Sequence, residues 1–200
     1  MEDQATSRRT VLRGLATSMG LAALPWSEMA RAAHDAHAAA SAPGPITYTL
    51  FNAGDAADVE ALTSQIVPSD ATPGAREAGV TFFIDRGLGS FFSHWRAGFL
   101  DGLQQFQSAC RTRCPDADRF AVLNAVRQIE FLRTVDSTPF FDQARLLTLC
   151  GMFSSQKYGG NRDGAGWKLI GFEDQHVFEP PFGYYDRDYP GFTPQPVTRP

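Results

Sequence analysis

The sequence predicts a mainly α fold, a small irregular helical bundle with a long Gly-, Pro- and aromatic-rich C-terminal arm. Three observations predict it. Apolar residues recur at helical spacing from Asp55 to Gly151, little period-two alternation appears before residue 160, and the texture changes abruptly after Gly151. The chain has 200 residues, 43% hydrophobic and 20% charged, which suits one globular domain with appendages rather than a disordered polymer.

Folded material is expected from near residue 47. Asp55 is placed to cap a first helix with Val59, Leu62 and Ile66 on one face, and Pro68 stops it. The loop from Pro68 to Gly74 carries turn residues throughout. A second pattern puts Val80, Phe83, Ile84 and Leu88 on one stripe, then restarts after Gly89 with Phe91, Phe92, Trp95, Phe99 and Leu103. Pro115-Asp116 opens a further helix whose apolar positions are Val122, Val126, Ile129 and Leu132. Thr138-Pro139 reads as an N-cap followed by a first-turn proline, and its helix carries Phe140, Ala144 and Leu147 before ending at Gly151.

Beyond that point Tyr158 to Trp167 is glycine-rich, and Trp167 to Phe172 suits a short strand or turn. The helical domain is therefore bounded at 47–153 and the irregular arm at 154–200. Such an arm can pack over its own helices or lie along a partner, and the two are compatible. Its candidate anchors are Tyr158, Trp167, Phe172, Phe182 and Tyr185.

The N-terminal stretch Ser7-Arg8-Arg9-Thr10-Val11-Leu12-Arg13 has the pattern of a twin-arginine export signal. An apolar run to Leu24 follows, broken by Pro25, and Ala30-Arg31-Ala32 offers a cleavage pattern. The run is shorter than the ~20 apolar residues a membrane span needs, and Arg13 intrudes. Residues 1–33 thus read as an export signal for the twin-arginine translocase. Residues 34–46, rich in Ala, Ser, Gly and Pro, read as a flexible linker.

That route carries folded proteins, usually for the sake of a cofactor, yet the residues offer no cofactor site. His94 and His176 are far apart, and Glu173 and His176 make a single Glu-x-x-His where di-iron bundles need two plus further carboxylates. The glycine run lacks a Gly-Lys-Ser/Thr ending and reads as a structural loop rather than a phosphate cradle. No nucleophile elbow is present. A net charge of -4 without a basic patch argues against nucleic acid. Three cysteines cannot all pair within one chain. Cys110 and Cys114, four apart near a helix end, are close enough to bridge if the last turn relaxes. Cys150 is left over, as a buried thiol or as half of a disulfide to another subunit.

Phe140-Phe141-Asp142, Leu147 to Phe153 and above all Tyr158 to Phe172 resemble the gluconate 2-dehydrogenase small subunit (subunit 3) family. Upstream, Glu60 to Leu62, Ile66 to Asp70 and Gly74 to Val80 are similar to its opening helices and loop, so the likeness runs from about residue 50 to 190. The resemblance implies a non-catalytic subunit that binds a large flavoprotein dehydrogenase of the glucose–methanol–choline type. FAD would then sit in that partner, and a multihaem cytochrome c subunit can complete the complex. It further implies a role in maturing and exporting the flavoprotein, with a periplasmic location at the inner membrane through partner subunits. It transfers no catalytic, cofactor-binding or metal-binding residue to this chain. Two readings from other classes stand beside it: a free-standing metalloenzyme using His94 and His176, and a solitary structural protein.

Overall fold

The computed structural model describes residues 26–41 and 46–174. Among the described residues there are seven α-helices and no strand: α1 Trp26–Ser41, α2 Ala53–Ile66, α3 Val80–Gly89, α4 Arg96–Arg113, α5 Ala125–Leu132, α6 Pro139–Phe153 and α7 Ala165–Ile170. Short 3-10 turns lie at Ser93–Trp95, Phe120–Val122, Gln156–Tyr158 and Arg162–Gly164. The mainly α bundle expected from the periodicity is the fold observed. No helix among the described residues is long and apolar enough to cross a membrane.

Helix α3 occupies the centre. It packs on α6, α2 and α1, and α6 also packs on α4. Central position explains why α3 is buried on nearly all sides, from Val80 through Ile84 to Leu88. Around it Leu62, Phe99, Leu103, Leu147 and Met152 close the core, each worth about 1.5–3 kcal/mol when fully buried. A second, aromatic, part of the core is built on Phe106 of α4, whose ring lies 5.0 Å from Phe120, 5.2 Å from Phe131 and 5.4 Å from Phe140. The Thr138 cap forms as expected: its hydroxyl accepts from the Phe141 amide, and Pro139 opens α6.

Several expectations are corrected. The first helix is capped by Asn52, not Asp55: the Asn52 Oδ1 accepts from the Gly54 and Asp55 amides at 2.8 and 2.9 Å. Asp55 sits in the first turn, where its charge favours the helix N-terminus. Residues 34–41, expected as linker, continue α1. Alanine has the highest helix propensity, and the small Ala33 and Ala36 bury where α1 meets the Gln156–Tyr158 turn.

The helix expected from Pro115 starts only after Asn124, and its face is different. Gln128, Phe131 and Leu132 turn inward, while Val122, Val126 and Ile129 are 60%, 66% and 44% exposed. The aliphatic residues lose the core to the larger aromatic area of Phe131 on the helix and Phe120 in the turn before it. Helix α6 continues past Gly151 to Phe153, and Trp167 belongs to helix α7 rather than to a strand or turn.

Two buried carboxylates organise the interior. Asp85 accepts from the amides of Thr49, Leu50 and Phe51 and from the Thr49 hydroxyl, which ties the entering chain to α3. Asp58 accepts from the Ala121 amide at 2.9 Å and from Gln107 Nε2 at 3.1 Å, joining α2 to the Phe120–Val122 turn and α4. Burial raises the Asp58 carboxyl above its usual range, against the opposing effect of those hydrogen bonds. A raised folded value means that the native state binds this proton more tightly than the unfolded chain. The stabilisation is present below the unfolded value, near 3.8, and is lost as pH rises through the folded one. Replacing Asp58 by Asn is therefore expected to raise the thermal midpoint by a few degrees at pH 7 and by less at pH 3. Melting curves at the two pH values check this; an equal effect at both would show that the carboxylate carries no such cost.

Candidate functional site

The stretch from Ser154 to Phe172 is folded onto the ends of α3 and α6, and Asn161 is its keystone. Asn161 is fully buried with φ 47°, a left-handed conformation that Asn tolerates better than most residues. Its amide donates to the Gly151 carbonyl at 2.8 Å, its Nδ2 to the Ser154 carbonyl at 2.9 Å, and its Oδ1 accepts from the Gly166 amide at 2.8 Å. The Arg162 amide reaches across to the Ala78 carbonyl at 3.1 Å, and its guanidinium lies 5.5 Å from the Phe82 ring centre.

The glycines of this loop serve close approach. A Cβ on Gly166 would stand 1.9 Å from the Met152 carbonyl oxygen, and one on Gly160 2.3 Å from that of Gly151. The amides of Tyr158, Gly159, Asn161, Arg162, Gly164 and Gly166 all donate within the protein. Amides so committed are not available to cradle a phosphate. The loop's work is to seat α7 against the last turn of α6.

Helix α7 is then presented outward. Ala165 and Gly166 form its buried side, and the Trp167 indole donates to the Phe153 carbonyl at 2.9 Å. Beside the exposed Lys168 it carries open apolar side chains: Leu169 is 45% and Ile170 59% exposed, and Phe172 just after it 45%. The Phe172 ring packs 5.2 Å from that of Trp167. A contiguous apolar cluster on a helix too short to bury it is the usual mark of a docking surface.

Of the anchors expected from sequence, Trp167 and Phe172 lie in this cluster. Tyr158 does not: half-buried, it packs edge-on against Phe91 at 5.6 Å, with Lys157 Nζ 5.1 Å from its ring centre. Phe182 and Tyr185, like Arg8, Arg9 and His176, lie outside the described residues. Leu169 and Ile170 were not singled out by sequence reasoning, although the unbroken apolar and aromatic run around Lys168 was the available signal.

Beside the loop, between α1, α3 and α6, runs an apolar groove of about 320 Å³. Met29, Phe83, Phe91, Phe92, Leu149 and Phe153 form its walls. Cys150, Ser154 and Tyr158 complete the lining. Burial pushes the Cys150 thiol up, away from the thiolate that disulfide exchange needs.

The other two cysteines are free as well, so the Cys110–Cys114 bridge read from their spacing is not formed. The last turn of α4 stays closed between them, with the Cys114 amide donating to the Cys110 carbonyl at 2.8 Å. Burial, with the Cys114 thiol close by, pushes the Cys110 thiol up to about 11. His94 is exposed beside Trp95. Among the described residues no group of three or more His, Cys, Asp or Glu side chains is placed to hold a metal ion.

The family model described as gluconate 2-dehydrogenase subunit 3 matches residues 53–174, from the first residue of α2 to the last residue described. No curated protein and no solved structure matches the chain.

Proposed function

The chain belongs to the gluconate 2-dehydrogenase subunit 3 family, and from that premise we propose that it is a non-catalytic subunit which docks on its dehydrogenase through α7. The observation that carries this reading is the exposed apolar cluster of Leu169, Ile170 and Phe172, held in place by a loop whose backbone amides at Tyr158, Gly159, Asn161, Arg162, Gly164 and Gly166 are already committed. The partner in this reading is the large flavoprotein dehydrogenase of the glucose–methanol–choline type, and the FAD is the partner's. A multihaem cytochrome c is the third component the reading admits.

The Arg8-Arg9 leader supports export of the pair by the twin-arginine translocase, which moves folded proteins. A leader on this chain would carry a tightly bound flavoprotein across with it. The complex would then work in the periplasm, at the inner membrane through its partner subunits.

Affinity purification of the tagged chain from periplasm tests the reading. A complex with flavin absorbance and sugar- or gluconate-dependent dye reduction is expected; a colourless chain without partners would overturn it. Within the complex, replacing Leu169, Ile170 and Phe172 together by Ser should weaken dehydrogenase binding roughly tenfold or more. The same change should cost about 1 kcal/mol of stability per site, because roughly half of each side chain is already in water. Binding at wild-type strength would move the interface elsewhere on the chain.

A further inference from the structure

The groove between α1, α3 and α6 offers apolar walls, and Cys150, Ser154 and Tyr158 are the lining residues that carry polar side-chain atoms. One of its walls lies close to where the described chain begins. Met29, which lines it, is only three residues into α1, or about 4.5 Å along the helix axis at 1.5 Å per residue. Immediately upstream, Val11 to Leu24 is the least polar stretch of the sequence, and from Gly14 to Ser27 it carries no charge at all.

We infer that this groove is the seat of the chain's own N-terminal apolar segment, with Leu15, Met19, Leu21 and Leu24 as the side chains that fill it. Reach favours this occupant, since Leu24 is five residues from Met29. Chemistry favours it too. The groove can receive aliphatic side chains at little further polar cost, since the one hydroxyl in its lining without a partner, Ser154 Oγ, is already buried, whereas residues 175–200 bring Tyr hydroxyls together with Glu179, Asp186, Arg187 and Asp188. The consequence is that the apolar part of the leader is covered while the domain is folded and alone, and becomes available when something else takes the groove.

Cys150 lies in the groove lining and reports on its occupancy. The full-length chain would be treated with a small maleimide under native conditions, and the Cys150 peptide followed by mass spectrometry. Cys110 and Cys114, both buried, serve as internal controls for folding. In the wild type Cys150 should react slowly. The paired substitution Leu15→Asp and Leu21→Asp should speed its labelling roughly tenfold or more, because an occupied apolar pocket excludes the reagent and a charged segment cannot stay in it. Equal rates in the two chains would overturn the inference. So would acceleration by Phe182→Ser with Tyr185→Ser and not by the leader pair, which would assign the groove to the C-terminal arm.

Discussion

Asp85→Ala is expected to cost about 4 kcal/mol, a large part of the 5–15 kcal/mol that holds a domain of this size. Asp85 has no exposed surface, and its two oxygens accept four hydrogen bonds. Three of the donors are consecutive backbone amides at 2.8, 2.8 and 2.9 Å, so no rearrangement of side chains can satisfy them once the carboxylate is gone. Each buried donor left unpaired costs about 1–3 kcal/mol. The loss also releases Phe51, which the clamp delivers into the core against Phe99 at 6.1 Å. Urea unfolding followed by circular dichroism measures the effect. Thr49→Val removes only the hydroxyl bond and should cost about 1 kcal/mol. If Asp85→Ala lost no more than Thr49→Val, the amides would have found other partners and the clamp would be unimportant.

The residues of this clamp show where sequence reasoning stops. The stripe Val80, Ile84, Leu88 is legible because large aliphatic side chains at helical spacing have one way to be buried, and the same holds for Phe99 with Leu103 and for Phe140 with Leu147. Asp85 lies between them and reads as a surface residue, because nothing local announces that residues 49–51 will arrive from 34–36 positions away. Helix α5 fails for a related reason. Val126 and Ile129 compete there with Phe131, and only the tertiary position of Phe106 decides that Phe131, with Phe120 from the preceding turn, takes the core. Helix α1 has no large aliphatic stripe; it is buried through alanines, whose small size suits close contact and also suits a linker. In the site, composition pointed to Trp167 and Phe172, but at 6 residues α7 is too short for periodicity to say which of its side chains face water. In a glycine-rich run an aromatic such as Tyr158 reads as an outward anchor. The turn it ends points it at Phe91 instead.

Gly166→Ala should be the most damaging single change near the site, costing about 3 kcal/mol or more and removing dehydrogenase binding with it. The added Cβ would lie 1.9 Å from the Met152 carbonyl oxygen and 2.8 Å from its carbon. Neither side can yield cheaply. Met152 is in the last turn of α6, and Gly166 is held from behind by the Asn161 side chain. Relief requires α7 to lift, which breaks the Trp167 indole bond to the Phe153 carbonyl and moves Leu169 and Ile170 together. Gly171→Ala separates backbone strain from this clash. Gly171 also has positive φ, 66°, but nothing lies within 4 Å of its missing Cβ, so the cost should be near 1 kcal/mol and binding should survive. Unfolding midpoints and titration with the purified dehydrogenase give the two readouts. The surface triple substitution should change binding much more than stability, Gly166→Ala both, and Gly171→Ala stability alone. A Gly166→Ala chain that binds as wild type would mean that the position of α7 does not matter to the partner. The docking assigned to that helix would then be wrong.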